Sequence, residues 1–125
     1  MTPGTPQPGP APETGTMTVA ELDALARARG PWRGKAVFAL IDRIPADSDA
    51  VESLGDLARQ PIVRANRMHL VTLAWAVIQA LLAAGTPRSR ELAERAFAEL
   101  SPAEQQDFLR YLKAPSIQAA NPPKP

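Results

Sequence analysis

A chain of 125 residues that is 45% apolar but only 5% aromatic has room for one modest core and no more. Its 14 basic and 13 acidic residues leave a formal net charge of +1, which excludes a general field drawing in nucleic acid or an anionic membrane. With no cysteine present, disulfide frameworks and thiolate metal sites are excluded as well.

Residues 1–16, MTPGTPQPGPAPETGT, hold five prolines and almost no apolar anchor. They cannot bury enough surface to offset their ordering entropy, so a disordered tail is expected. Pro3, Pro6, Pro8, Pro10 and Pro12 have the spacing of a polyproline II ligand, but no basic residue flanks them to orient one in a groove. The stretch also lacks the basic and apolar regions of a secretory signal, which makes cytoplasm the expected compartment.

Thr18 and Glu21 form the pattern of a reciprocal capping box and open a first helix with Val19, Leu22, Leu25 and Ala26 as its apolar stripe. Gly30-Pro31 stops that helix and starts a second. The second runs to about Ile44, with Val37, Phe38, Leu40, Ile41 and Ile44 facing inward, and Pro45 ends it. Asp47, Asp49 and Glu52 then place acids in the first turn of a third helix, where they complement the positive end of its dipole. Gly55 in its middle costs about 1 kcal/mol relative to alanine, so this is the weakest helix expected.

Pro61 opens a long fourth helix, about residues 61–84, ended by Gly85 in a position suited to left-handed backbone. Its stretch Met68 to Ala84, MHLVTLAWAVIQALLAA, is apolar nearly all the way round. Only a narrow strip carrying His69, Thr72, Ala76, Gln79 and Ala83 is small or weakly polar, so this helix belongs at the centre of a bundle. From Leu70 to Ala84 it reaches about 22 Å against a hydrocarbon core of about 30 Å, too short to span a membrane comfortably. Thr86-Pro87 begins a fifth helix with Leu92, Ala93, Ala96, Phe97 and Leu100 inward and a Glu91–Arg95 pair outside. Ser101-Pro102 with Glu104 forms a second capping box, and Phe108, Leu109 and Leu112 face inward from a sixth helix. Pro115 to Pro125 brings four prolines and is expected to be an extended, disordered tail. No run alternates with period two, so no sheet is expected.

These elements define an all-α fold, a compact bundle of about six helices spanning residues 17–114 around the central one. In helix count it resembles six-helix adaptor domains of the death-fold kind, a likeness of architecture only.

Few residues point to chemistry. His69 is the single histidine, and its helical neighbours Ala65, Asn66, Thr72 and Leu73 supply neither a nucleophile with an orienting acid nor a metal partner. In an EF-hand alignment starting at Asp47, the sixth position holds Glu52 instead of glycine and the twelfth Ala58 instead of glutamate. No cofactor, metal site or enzymatic activity is therefore expected. The segment Arg27 to Lys35 carries four cations and Trp32 with no acid, which suits contact with phosphate or an acidic partner. Its GPWRGK lacks the spacer and the Ser or Thr of a phosphate loop.

Arg88, Ser89 and Arg90 start what would be the recognition helix of a helix-turn-helix. Leu81 and Glu91, however, stand where that motif needs a small and an apolar residue. The function expected is a small protein-interaction module, an accessory or adaptor subunit that binds a larger protein or itself, with a DNA-binding regulator as the alternative. The expected contact residues are Arg29, Trp32, Arg33 and Lys35 of the basic loop and Thr72, Ala76, Gln79 and Ala83 of the central strip. Neither nucleic acid nor a membrane is the expected partner.

Overall fold

Thr18 and Glu21 close the capping box expected of them: the Thr18 hydroxyl accepts from the Glu21 amide at 3.1 Å, and the Glu21 carboxylate accepts from the Thr18 amide at 2.8 Å. In the computed structural model, which describes residues 13–68 and 71–120, this starts α1 (Val19–Arg27), with Leu22 and Ala26 buried. Helix α2 (Arg33–Ile41) follows the Gly30-Pro31 break. It stops three residues before the expected end, because Pro45 pushes Ile44 away from helical backbone and residues 42–46 turn instead. Asp47 caps α3 (Ser48–Leu57) by accepting from the amides of Asp49 at 3.0 Å and Ala50 at 3.3 Å. Its carboxylate thus serves the helix end rather than a cation loop.

The long helix expected over 61–84 is not formed. Helix α4 (Pro61–Arg64) makes a single turn, and a two-residue ladder follows in which β1 (Arg67–Met68) pairs antiparallel with β2 (Val71–Thr72). This ladder is also the one departure from an all-helical chain among the described residues. The main helix then starts afresh as α5 (Leu73–Ala84). The break comes from side-chain competition with the helix ladder. The Thr72 hydroxyl accepts from the Trp75 amide at 3.2 Å and caps a new N-terminus, while the Asn66 carbonyl takes the Leu73 amide at 2.7 Å. Helix α5 ends at Gly85, which is left-handed at φ 73° as expected. Helices α6 (Pro87–Ala98) and α7 (Pro102–Leu112) complete seven α-helices among the described residues, against the six expected.

Twelve residues of α5 bury Leu73, Ala74, Trp75, Val77, Ile78, Leu81 and Leu82. Helix α6 lies along one side with Leu92, Ala93, Ala96 and Phe97 buried. Helix α7 is held mainly by rings: Trp75 and Phe108 lie 4.8 Å apart between centroids, and Phe97 and Phe108 6.1 Å. The Gln105 carboxamide donates towards the carbonyls of Phe97, Ala98 and Leu100, satisfying acceptors that the end of α6 leaves open. Ser101 caps α7 as expected, accepting from the Glu104 amide at 3.2 Å. The Glu104 carboxylate is drawn away from the capping box to accept the Trp75 indole N–H at 2.9 Å.

Gly55 turns out to be where α3 meets α6. A Cβ at this position would stand 2.8 Å from both Leu92 methyls and 3.0 Å from Leu92 Cβ. The cost of glycine in a helix interior therefore secures close contact between two helices. Gly55→Ala should lower stability by up to about 2 kcal/mol, since overpacking costs about 1–3 kcal/mol against a propensity gain of about 1. Urea denaturation decides the sign. A raised midpoint would mean that Leu92 moves aside freely.

The boundaries expected at 17 and 114 are both overrun. Thr14–Thr16 forms a turn of 3₁₀ helix, and the Arg43 guanidinium donates to the Thr14 carbonyl at 3.0 Å. Beyond α7 the chain stays on the domain to residue 120, with Ile117 at 4% and Ala120 at 2% exposure. Arg90 donates to the carbonyls of Gln118 at 3.2 Å and Ala120 at 3.4 Å, and the Ser116 hydroxyl accepts from the Ala119 amide. One bulky apolar residue with a backbone anchor thus docks a segment whose composition suggested a tail. Of the tails expected at 1–16 and 115–125, residues 1–12 and 121–125 lie outside the described residues, as does His69.

Candidate functional site

Two cations of the basic loop, Arg27 and Arg33, are engaged within the fold. Arg27 pairs with Asp23 at 2.6 Å and with Asp56, tying α1 to α3. Arg33 turns inward, where its guanidinium donates to the carbonyls of Ala26 at 2.9 Å and Ala28 at 3.0 Å and to the Asn66 carboxamide oxygen at 3.2 Å. It thereby closes the C-terminus of α1, where a cation also complements the helix dipole. Trp32 is half-buried, Arg29 is exposed, and Lys35 borders a shallow cleft with Asp42 and Arg43 behind Phe38. Two of the four cations are thus spent on the fold, while Arg29 and Lys35 stay exposed.

Burial alone would raise the Asp23 carboxyl. Hydrogen bonds from Arg27 and Ser53, with the Arg27 charge, outweigh that and hold it below its ordinary value of 3.8. The Arg88 guanidinium, through hydrogen bonds first and then its charge, likewise lowers Glu52 and Glu91 from 4.5. Carboxyls lowered in the folded state add stability that is complete above their ordinary values and lost as pH falls through the lowered ones. Stability should therefore drop on acidification below about pH 4, modestly because these groups are mostly exposed. Urea midpoints taken across that range should fall less steeply in Asp23→Asn, and an unchanged slope would refute the assignment.

The three residues of the strip that lie on α5 stay open. Ala76 and Gln79 are half-buried and Ala83 is exposed, and with Ala80 they floor a groove of about 660 Å³. Helix α2 supplies one wall through Phe38 and Ile41, and α7 the other through Tyr111 and Leu112. Ala120 of the C-terminal segment also lines it, held there by Arg90. Among the described residues lining this groove none is charged. Thr72 is not part of it: as the cap of α5 it is buried and lines a separate cleft of about 430 Å³ with Arg64, Trp75 and Glu104.

Two residues that shape the groove were not assigned to a site from the sequence. Phe38 belonged to the expected inner face of α2, yet it is 43% exposed, because a step of 100° from buried Val37 carries it to the rim. Tyr111 is 50% exposed, with its ring stacked near Phe108 at 6.5 Å and near Trp75 at 5.7 Å. Its signal, an aromatic one turn from the apolar stripe of α7, is visible only once α7 is placed beside α5.

The start of α6 is occupied internally. Arg88 grips Glu52 with two hydrogen bonds of 2.6 and 2.7 Å and Glu91 with one of 2.9 Å. Ser89 is fully buried and completes a reciprocal cap with Thr86, while Arg90 anchors the C-terminal segment. The expected Glu91–Arg95 pair is present at 3.1 Å.

No helix among the described residues is long and apolar enough to cross a membrane. Compared with known proteins, the chain matches no family, no curated protein and no solved structure.

Proposed function

We propose that this chain is a small, non-enzymatic protein-interaction module, an accessory or adaptor subunit whose groove between α2, α5 and α7 receives an apolar helix. The observation that supports this reading is the joint exposure of Phe38 at 43% and Tyr111 at 50% over a floor of alanines. An open apolar groove with aromatic walls costs solubility unless it is used, and helix-in-groove docking is a common use. Alanine in the floor lets a partner helix approach closely, and the carboxamide of Gln79 supplies one polar point to fix its register. Cytoplasm remains the proposed compartment.

The DNA-binding alternative draws on Arg88, Arg90 and the loop from Arg27 to Lys35; Arg88 and Arg90 are held in intramolecular bonds and would have to break them to reach phosphate. The test is photo-crosslinking in the native host from a benzoylphenylalanine in place of Phe38, at the groove wall. A discrete intermolecular product that disappears in Ala76→Arg is expected. Absence of any such product would overturn the reading.

A further inference from the structure

We infer that residues 1–12 of the chain itself occupy this groove, crossing Phe38 to lie over the alanine floor and competing in cis with the partner helix. This rests on the reading of the groove as an interaction surface and adds its regulation. The first argument is attachment. Phe38 is a wall of the groove and also lines the shallow cleft that Thr14 and Gly15 border, so groove and cleft share a side chain. The Arg43 guanidinium holds the Thr14 carbonyl at 3.0 Å, which pins the chain beside Phe38 close to the point where residues 1–12 join it. At about 3.1 Å per residue an extended run of that length reaches about 37 Å, whereas the floor from Ala76 to Ala83 measures about 10 Å. Length is not limiting.

The second argument is chemistry. Pro3, Pro6, Pro8, Pro10 and Pro12 stand in a stretch with no charged side chain, so docking it leaves no ion unpaired. Proline-rich segments dock against aromatic walls at little cost in ordering, because proline is already restricted, and Phe38 and Tyr111 offer two such walls at 43% and 50% exposure. A free ligand of this kind takes its direction from a flanking charge, which this stretch lacks. A tethered one has its direction set at Thr14, and an effective concentration in the millimolar range makes weak contacts sufficient. The other end of the chain, residues 121–125, also leaves beside the groove at Ala120, but it is shorter and brings Lys124 to a lining that holds no acid among the described residues.

The test uses the full-length protein with a nitroxide on Thr5→Cys, the only thiol in a chain without cysteine. The nuclear magnetic resonance signals of Gln79 and Ala83 on the floor and of Tyr111 on the α7 wall should broaden, and dilution should not change that. Replacing Pro6→Ser, Pro8→Ser and Pro10→Ser together alters no residue of the bundle and should remove this broadening, while leaving it around Thr14, where any attached chain would cause it. Broadening confined to the surroundings of Thr14, or equal in the triple variant, would overturn the inference. Broadening lost on dilution would overturn it too, since it would come from a second copy. The crosslink from position 38 gives the functional readout: a groove closed in cis more than half the time binds its partner at least about twofold less well, so the triple variant should raise the yield about twofold or more. An unchanged yield would count against competition and sink the inference. Absence of any intermolecular product would overturn the interaction module instead, and the broadening would still decide whether residues 1–12 lie in the groove.

Discussion

Leu81→Ala is expected to cost about 2–5 kcal/mol, a large share of what a domain this size possesses, whereas Gln79→Ala two residues earlier should cost about 0.5 kcal/mol or less. Leu81 is fully buried on α5, a helix packed against α3 and α6, so truncation leaves a cavity in the core. Leu73, also fully buried, should behave like Leu81. Gln79 is half-buried over the groove and makes no side-chain hydrogen bond among the described residues. Its truncation removes little packing. Chemical denaturation of the three variants reads the orientation of α5 directly. Equal losses at Leu81 and Gln79 would place the strip inside the core and remove the groove.

Ile117→Ala should cost about 2 kcal/mol and lower the thermal midpoint by roughly 10 °C. The neighbouring Gln118→Ala, at an exposed position, should be close to neutral. Ile117 is 4% exposed and packs in the same cluster as Leu92, Phe97 and Phe108. Its segment holds no helix of its own, so this one side chain and the Arg90 contacts do most of the holding. Deleting residues 115–125 should destabilise at least as much as Ile117→Ala. A midpoint that survives that deletion would mean the segment lies on the domain without supporting it. Loss of the segment also removes Ala120 from the groove, so the deletion should lower the yield of the crosslink from position 38.

Local rules settled much of this protein before any contact was known. The helix starts at Thr18, Asp47, Thr86 and Ser101 were legible because a cap acts within three residues of itself. The end of α5 at Gly85 was legible because a left-handed residue there favours glycine. The apolar faces of α5 and α6 followed from their period, and the openness of Ala76, Gln79 and Ala83 from their being small or weakly polar.

What the period could not reveal was the break between Arg64 and Leu73, since it is decided by the hydrogen bonds at Asn66 and Thr72 rather than by the placing of apolar residues. Other decisions belonged to the tertiary structure alone. Gly55 reads as a weakness until Leu92 stands against it, and Glu104 reads as half of a capping box until Trp75 arrives with a better donor. Arg27 and Arg33 read as a surface until Asp56 and the end of α1 claim them. Partners such as Arg27 and Asp56 or Trp75 and Glu104, 29 residues apart, leave no periodic trace in a sequence, so only packing could turn a cationic loop into a brace and the weakly polar strip of α5 into the floor of a groove.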